Sequence, residues 1–230
     1  MANFVLVHGA WVGGWCWRDN AQALRKAGHE VYTPTMTGLG ERIHLMNPSI
    51  NLDTHISDIA NVIKHEELSD IVLVGHSYGG MVITGVADML ADKIASLVYL
   101  DAFVPENGQS LVSLLPPGMP APTPASDYTL APIPAEAFGT SSVVAAFVDA
   151  RTTPHPTASF VQPLKLSGNI DRIEKKTYIY ANVPAPTTFT PFYEKLKNNP
   201  RWTTHTLPCT HIVQLEMPNE LTALLLDAAA

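Results

Sequence analysis

Short runs that are apolar or rich in β-branched and aromatic residues recur along the chain: "FVLV" at 4–7, "EVYT" at 30–33, "IVLV" at 71–74, "LVYL" at 97–100, "TYIY" at 177–180 and "TTHTL" at 203–207. Between them lie stretches of helical character near Trp17–Ala27, Asp53–His65, Gly80–Ala91, Thr190–Asn198 and Asn219–Leu226. Strands that are apolar on both sides are strands buried on both faces. The alternation therefore predicts an α/β protein with a mostly parallel central sheet and helices on both of its faces.

The alternation stops from about 104 to 175. There the run "LLPPGMPAPTPASDYTLAPIPAEAFG" is dense in Pro and Ala. A long insertion between two sheet strands predicts a small cap within one domain, 1–230. Phe138, Val143, Val144, Phe147, Phe160 and Val161 are expected to be buried in it.

Composition narrows the function. With 46% hydrophobic and 15% charged residues the chain is expected to fold compactly. A net charge of -7 with 14 dispersed basic residues argues against a nucleic-acid partner. Cys16 and Cys209 stand far apart without CxxC spacing, so neither a disulfide framework nor a zinc site is expected, and a reduced, cytoplasmic setting is. The apolar start "MANFVLVHGAWVGG" lacks a basic n-region and is too short to span a bilayer, so it reads as a core strand and no membrane association is expected. No cofactor or metal is expected, and a homodimer is left open.

The most informative stretch is "IVLVGHSYGGM". Gly75-His76-Ser77-Tyr78-Gly79 matches G-x-S-x-G directly after a strand and before a helix, the nucleophile elbow of α/β-hydrolases. Ser77 is the expected nucleophile, and His76 reads as a residue packed beside it. A tetrahedral intermediate needs two N–H donors, expected from Tyr78 and, in "HGAWVGGW", from Ala10, with His8 bracing that loop. The base in this fold comes late in the chain, which points to His211 in "LPCTHIVQLEMPNEL".

Together "FVLVHGAW", "GHEVYTPTMTGLGER", "VGHSYGGMVI", "LVYLDAFVP" and the terminal H-x-x-x-x-x-x-P-x-E-L resemble the plant methylesterase and hydroxynitrile lyase group, and more closely its small bacterial esterase members. The resemblance covers nearly the whole chain, with the part from about 111 to 167 weakly matched. It implies an α/β-hydrolase fold with a small lid over Ser77. Lyases of the group carry threonine at the position of Gly9 and lysine after the catalytic histidine. Here Ile212 follows His211 and can neither donate a proton nor carry charge, so ester hydrolysis through an acyl-enzyme is expected instead.

One member of the triad departs from the pattern. Plant relatives carry the acid after the strand corresponding to Thr177–Tyr180, yet "YIYANVPAPTTF" contains no carboxylate and Asn182 is its nearest polar candidate. Asp101, closing the strand after the nucleophile helix, is the expected substitute, because the carboxyl ends of adjacent strands lie about 5 Å apart. Asp101 as a turn cap, Glu106, Asp149 and a dyad supported by Asn182 are the alternatives. Trp11, Tyr78, Phe103, Phe138, Phe147 and Ile212 are the expected pocket wall, suited to a small uncharged apolar or aryl ester. A slow-turnover, receptor-like binding protein is the competing reading.

Overall fold

The computed structural model describes residues 1–118 and 123–230, so residues 119–122 of the Pro- and Ala-dense run lie outside the described residues. In chain order the strands are β1 (Asn3–Val7), β2 (Glu30–Tyr32), β3 (Ile71–His76), β4 (Ile94–Leu100), β5 (Pro124–Ser126), β6 (Thr129–Leu130), β7 (His155–Pro156), β8 (Lys175–Ala181) and β9 (Thr203–Leu207). The helices are α1 (Arg18–Lys26), α2 (Leu52–His65), α3 (Gly79–Met89), α4 (Leu111–Leu114), α5 (Ser142–Asp149), α6 (Thr157–Val161), α7 (Thr190–Leu196), α8 (Val213–Glu216) and α9 (Pro218–Ala229).

The six runs build one parallel sheet in the order β2-β1-β3-β4-β8-β9. Successive strand residues point to opposite faces, which sorts each run into two cores. Val5, Val7, Leu73 and Tyr99 pack against Ile56, Ile59 and Ile63 of α2 and Val82, Ile83 and Val86 of α3. Phe4, Leu6, Val72, Val74, Val98 and Leu100 pack on the other face with Leu24 of α1 and Leu221 and Leu225 of α9. The start of α2 is fixed by a reciprocal cap in which Asn51 accepts from Thr54 N–H and Thr54 accepts from Asn51 N–H.

Between β4 and β8 the inserted segment carries α4, α5, α6 and a small antiparallel sheet, β5-β6-β7. Phe160 is buried there, but Val143 is 79% and Val161 51% exposed, against expectation, and Phe147 sits at 36%. The reason is helix phase. Val143 and Phe147, four residues apart, share the outward face of α5, while Ala145 and Val148 face inward. Cys16 and Cys209 are buried and unpaired. Among the described residues no helix is long and apolar enough to cross a membrane.

Candidate active site

β3 ends in a turn with Ser77 in the left-handed region at φ 55°, where few non-glycine residues stand. Its backbone is held on both sides. Ser77 N–H donates to Leu100 O at 3.2 Å, and Ser77 O accepts from Gly80 N–H at 3.0 Å. A Cβ on Gly75 would come within 2.7 Å of Gly79 O, so strand and helix can approach this closely only with glycine there.

The base candidate stands on the loop between β9 and α8. His211 Nδ1 donates to Asp101 Oδ2 at 2.7 Å, which leaves Nε2 as the nitrogen with a free lone pair. The Asp101 side chain is 1% exposed and its other oxygen, Oδ1, accepts from Ala181 N–H at 3.2 Å. Two hydrogen bonds thus compensate a carboxylate removed from water. Asp101 itself has φ 40°, a conformation that turns the chain off β4 and aims the side chain across the end of β8. Burial pushes the Asp101 carboxyl up and the His211 imidazole down, to about 3, while the contact between them favours their charged forms.

The other candidate acids stand elsewhere. Glu106 pairs with Lys195 at 2.6 Å on the surface, and Asp149 Oδ1 accepts from Ala135 N–H at 2.9 Å. Asn182 lies at the end of β8, and its buried Oδ1 has no partner among the described residues.

His211 is walled by rings. Phe189 stacks on it at 4.8 Å and 10°, and Phe138 lies at 5.1 Å. His76 packs at 4.5 Å, and its Nε2 donates to His211 O at 2.9 Å, tying the elbow to the histidine loop. His8 braces its own loop, donating from Nδ1 to Gly9 O at 2.8 Å and accepting at Nε2 from Met36 N–H at 3.0 Å. Burial lowers its imidazole to about 4. Tyr78 is oriented by His55, whose Nε2 donates to Thr37 O at 3.0 Å and whose Nδ1 therefore accepts the tyrosine O–H at 2.8 Å.

A cavity of about 480 Å³ opens on Ser77 and His211 and is also lined by Ala10, Tyr78, Trp11, Phe103, Phe138 and Ile212. Phe147 is a correction. It lies outside this wall, packed at 5.7 Å on Trp15 under the Arg151 guanidinium, because the inward face of α5 presents Val148 to the cavity. Phe160 and Phe189, which sequence reasoning did not assign to the wall, do line it. Their only signal was being aromatic next to the cap or at the end of "YIYANVPAPTTF". Among the described lining residues there is no Asp, Glu, Lys or Arg. Nor do three His, Cys, Asp or Glu side chains among the described residues stand where they could hold a metal ion.

Strand order, elbow and histidine loop define an α/β-hydrolase, and residues 4–224 match the model of the alpha/beta hydrolase family, to which the chain belongs. It is an esterase-type member: it is 49% identical over 234 residues to the carbendazim hydrolyzing esterase of Nocardioides sp. (strain SG-4G), covering 96% of this chain and 97% of that one. It is also 32% identical over 120 residues to methylesterase 8 of Arabidopsis thaliana, covering 47% of this chain and 40% of that one. In fold it is similar to an extracellular alpha/beta-hydrolase from a Paenibacillus species, described as sharing homology with tobacco salicylic acid binding protein 2. That match has a TM-score of 0.81 at 24% identity over 99% of each chain.

Proposed function

We propose that the protein hydrolyses small, uncharged apolar or aryl carboxylic esters through an acyl-enzyme on Ser77. The observation that carries this is the Asp101–His211 contact of 2.7 Å beside a cavity that the histidine shares with Ser77. Ser77 Oγ attacks the ester carbonyl carbon as His211 Nε2 takes its proton. The carbonyl oxygen becomes an oxyanion facing the Ala10 and Tyr78 amides. The tetrahedral centre then collapses, the C–O bond to the alcohol breaks, and His211 returns the proton to the leaving oxygen. Water repeats the sequence on the acyl-enzyme and frees the acid. Asp101 stays ionised throughout, holding Nδ1–H and stabilising the imidazolium.

The substrate class follows from the wall. With a mainly aromatic and aliphatic lining and no described Asp, Glu, Lys or Arg, the cavity holds no opposite charge to pair with an anionic or cationic substrate. The described part of the segment 104–175 serves as the cap over this cavity, and two unpaired buried cysteines suit a cytoplasmic setting. The bacterial relative's name makes carbendazim the compound to assay beside a short p-nitrophenyl ester.

Steady-state hydrolysis of that p-nitrophenyl ester by wild type and Ser77→Ala is the test. The variant is expected to lose roughly 10⁶-fold in kcat while staying folded by circular dichroism. A Ser77→Ala variant that keeps the wild-type rate overturns the reading. A wild type that shows an acyl burst without turnover replaces it with the receptor-like one.

A further inference from the structure

The loop that carries the Ala10 amide is held from the inserted segment. Trp11 has φ 63°, a left-handed conformation that a bulky residue adopts only where its surroundings over-determine it. Three hydrogen bonds do so here. Trp11 N–H donates to His155 Nδ1 at 3.3 Å, Trp11 Nε1–H donates to Leu130 O at 3.3 Å, and Trp11 O accepts from Thr153 N–H at 2.9 Å. Leu130 and His155 are register partners in the small sheet, so the clamp is one paired unit.

The direction of every bond around His155 is determined. Ser159 Oγ–H donates to Pro156 O at 2.8 Å, so Oγ accepts from His155 Nε2–H at 2.9 Å. Nδ1 is then the unprotonated nitrogen and can only accept. The ring is fully buried, packed at 4.8 Å from Tyr78 and 4.7 Å from Phe160. Burial keeps its imidazole well below its ordinary 6.5, which preserves the neutral tautomer this chain of bonds needs.

Two consecutive peptide planes are thereby pinned by two buried histidines. His8 Nδ1–H holds Gly9 O, and in a trans peptide that aims the Ala10 N–H of the same plane to the opposite side. The next plane, Ala10 to Trp11, is held through its N–H by His155. We propose that His155 is a positioning residue for the oxyanion hole, fixing through Trp11 the turn that presents the Ala10 amide. The inserted segment thus sets the aim of an oxyanion donor as well as covering the cavity. This rests on the esterase reading above.

The test compares His155→Leu, which removes the acceptor, with His155→Asn, whose Oδ1 stands near the position of Nδ1 and keeps it. The readouts are kcat and KM on a short p-nitrophenyl ester, the melting temperature, and the Ki of a trifluoromethyl ketone, whose adduct places an oxyanion in the hole. His155→Leu is expected to lose about 10- to 100-fold in kcat, with KM within about threefold and Ki raised in step with kcat. His155→Asn is expected within about fivefold of wild type. Ser159→Ala, which deletes one oxygen and leaves the core packed, is expected to show the same split at about threefold. It decides the matter if His155→Leu does not fold. Equal losses in Leu and Asn variants, an unchanged Ki in His155→Leu or Ser159→Ala, or a change confined to KM would each overturn the proposal. The esterase reading fails separately, through a wild type that neither turns over the ester nor is labelled at Ser77 by a phosphonate.

Discussion

The ends of β4 and β8 are neighbours, with Leu100 opposite Ile179, and both converge on His211, yet they bring it different things. β4 brings charge: Asp101, 1% exposed, turns off the strand with φ 40° and reaches Nδ1 at 2.7 Å. β8 brings a backbone N–H from Ala181 to the same carboxylate, and its following loop brings the Phe189 ring to the face of the imidazole. The stretch "YIYANVPAPTTF" lacks a carboxylate and supplies a wall. A carboxylate acting on His211 need only lie within reach of Nδ1, and any strand end about 5 Å away meets that demand. The loop freed of the acid can then be given to packing.

The sharpest way to break this division is Asp101→Asn. An amide facing Nδ1 with its N–H forces the imidazole into the tautomer whose proton points at Ser77, so Nε2 can no longer accept. The expected loss is about 10⁴-fold in kcat, measured on the p-nitrophenyl ester with folding checked by circular dichroism. A folded variant that keeps most of its rate would return Asp101 to the role of a turn cap.

Phe189→Leu sharpens the other half. In the wild type, burial lowers His211 to about 3, which keeps the proposed base neutral, and the acidic limb of kcat/KM is expected well below 6.5. Opening one face of the ring to water relieves part of the desolvation that disfavours the charged form, and the pKa rises towards 6.5. Activity at pH 5 should then fall relative to pH 8, with a loss at pH 8 of roughly threefold to tenfold from looser placement. Asp101 pulls His211 upward in both proteins, so the difference between their pH profiles reports the ring alone. Superimposable profiles would show that Phe189 is mere filling.

How much of this could be read beforehand depended on whether the signal was local. β1, β3 and β4 are legible because a strand buried on both faces is an unbroken apolar run, and they are buried almost throughout, whereas the edge strands β2 and β9 are marked only by β-branched residues and their place in the alternation. The elbow was legible because strain and close approach leave glycine as the only residue that fits. Asp101 came into view because the expected strand end was empty and a neighbouring one was not. Nothing local marks Phe189 and Phe160 as cavity residues, since their contacts to His211 and Tyr78 are made between separate elements of the fold. Phe147 was misplaced for a different reason. In "SVVAAFVD" apolar residues fall on nearly every side of α5, so periodicity names no inward face, and the turn of 100° between Phe147 and Val148 decides which one meets the cavity.

Asn182→Ala separates the two strand ends most cleanly. If β8 carried part of the proposed acid's task, Asn182, just past its end, would be the residue to do so by orienting the imidazole. Its side-chain Oδ1 is buried with no partner among the described residues, whereas His211 Nδ1–H is already committed to Asp101. An unpaired buried acceptor is a cost to the folded state, so Asn182→Ala removes a liability along with the carbonyl. The expected result is a kcat within about twofold of wild type and a melting temperature equal or slightly higher. A loss of about 100-fold or more in kcat with the fold intact would mean that the end of β8 still works on the histidine, and that the charge at β4 is only half of the device.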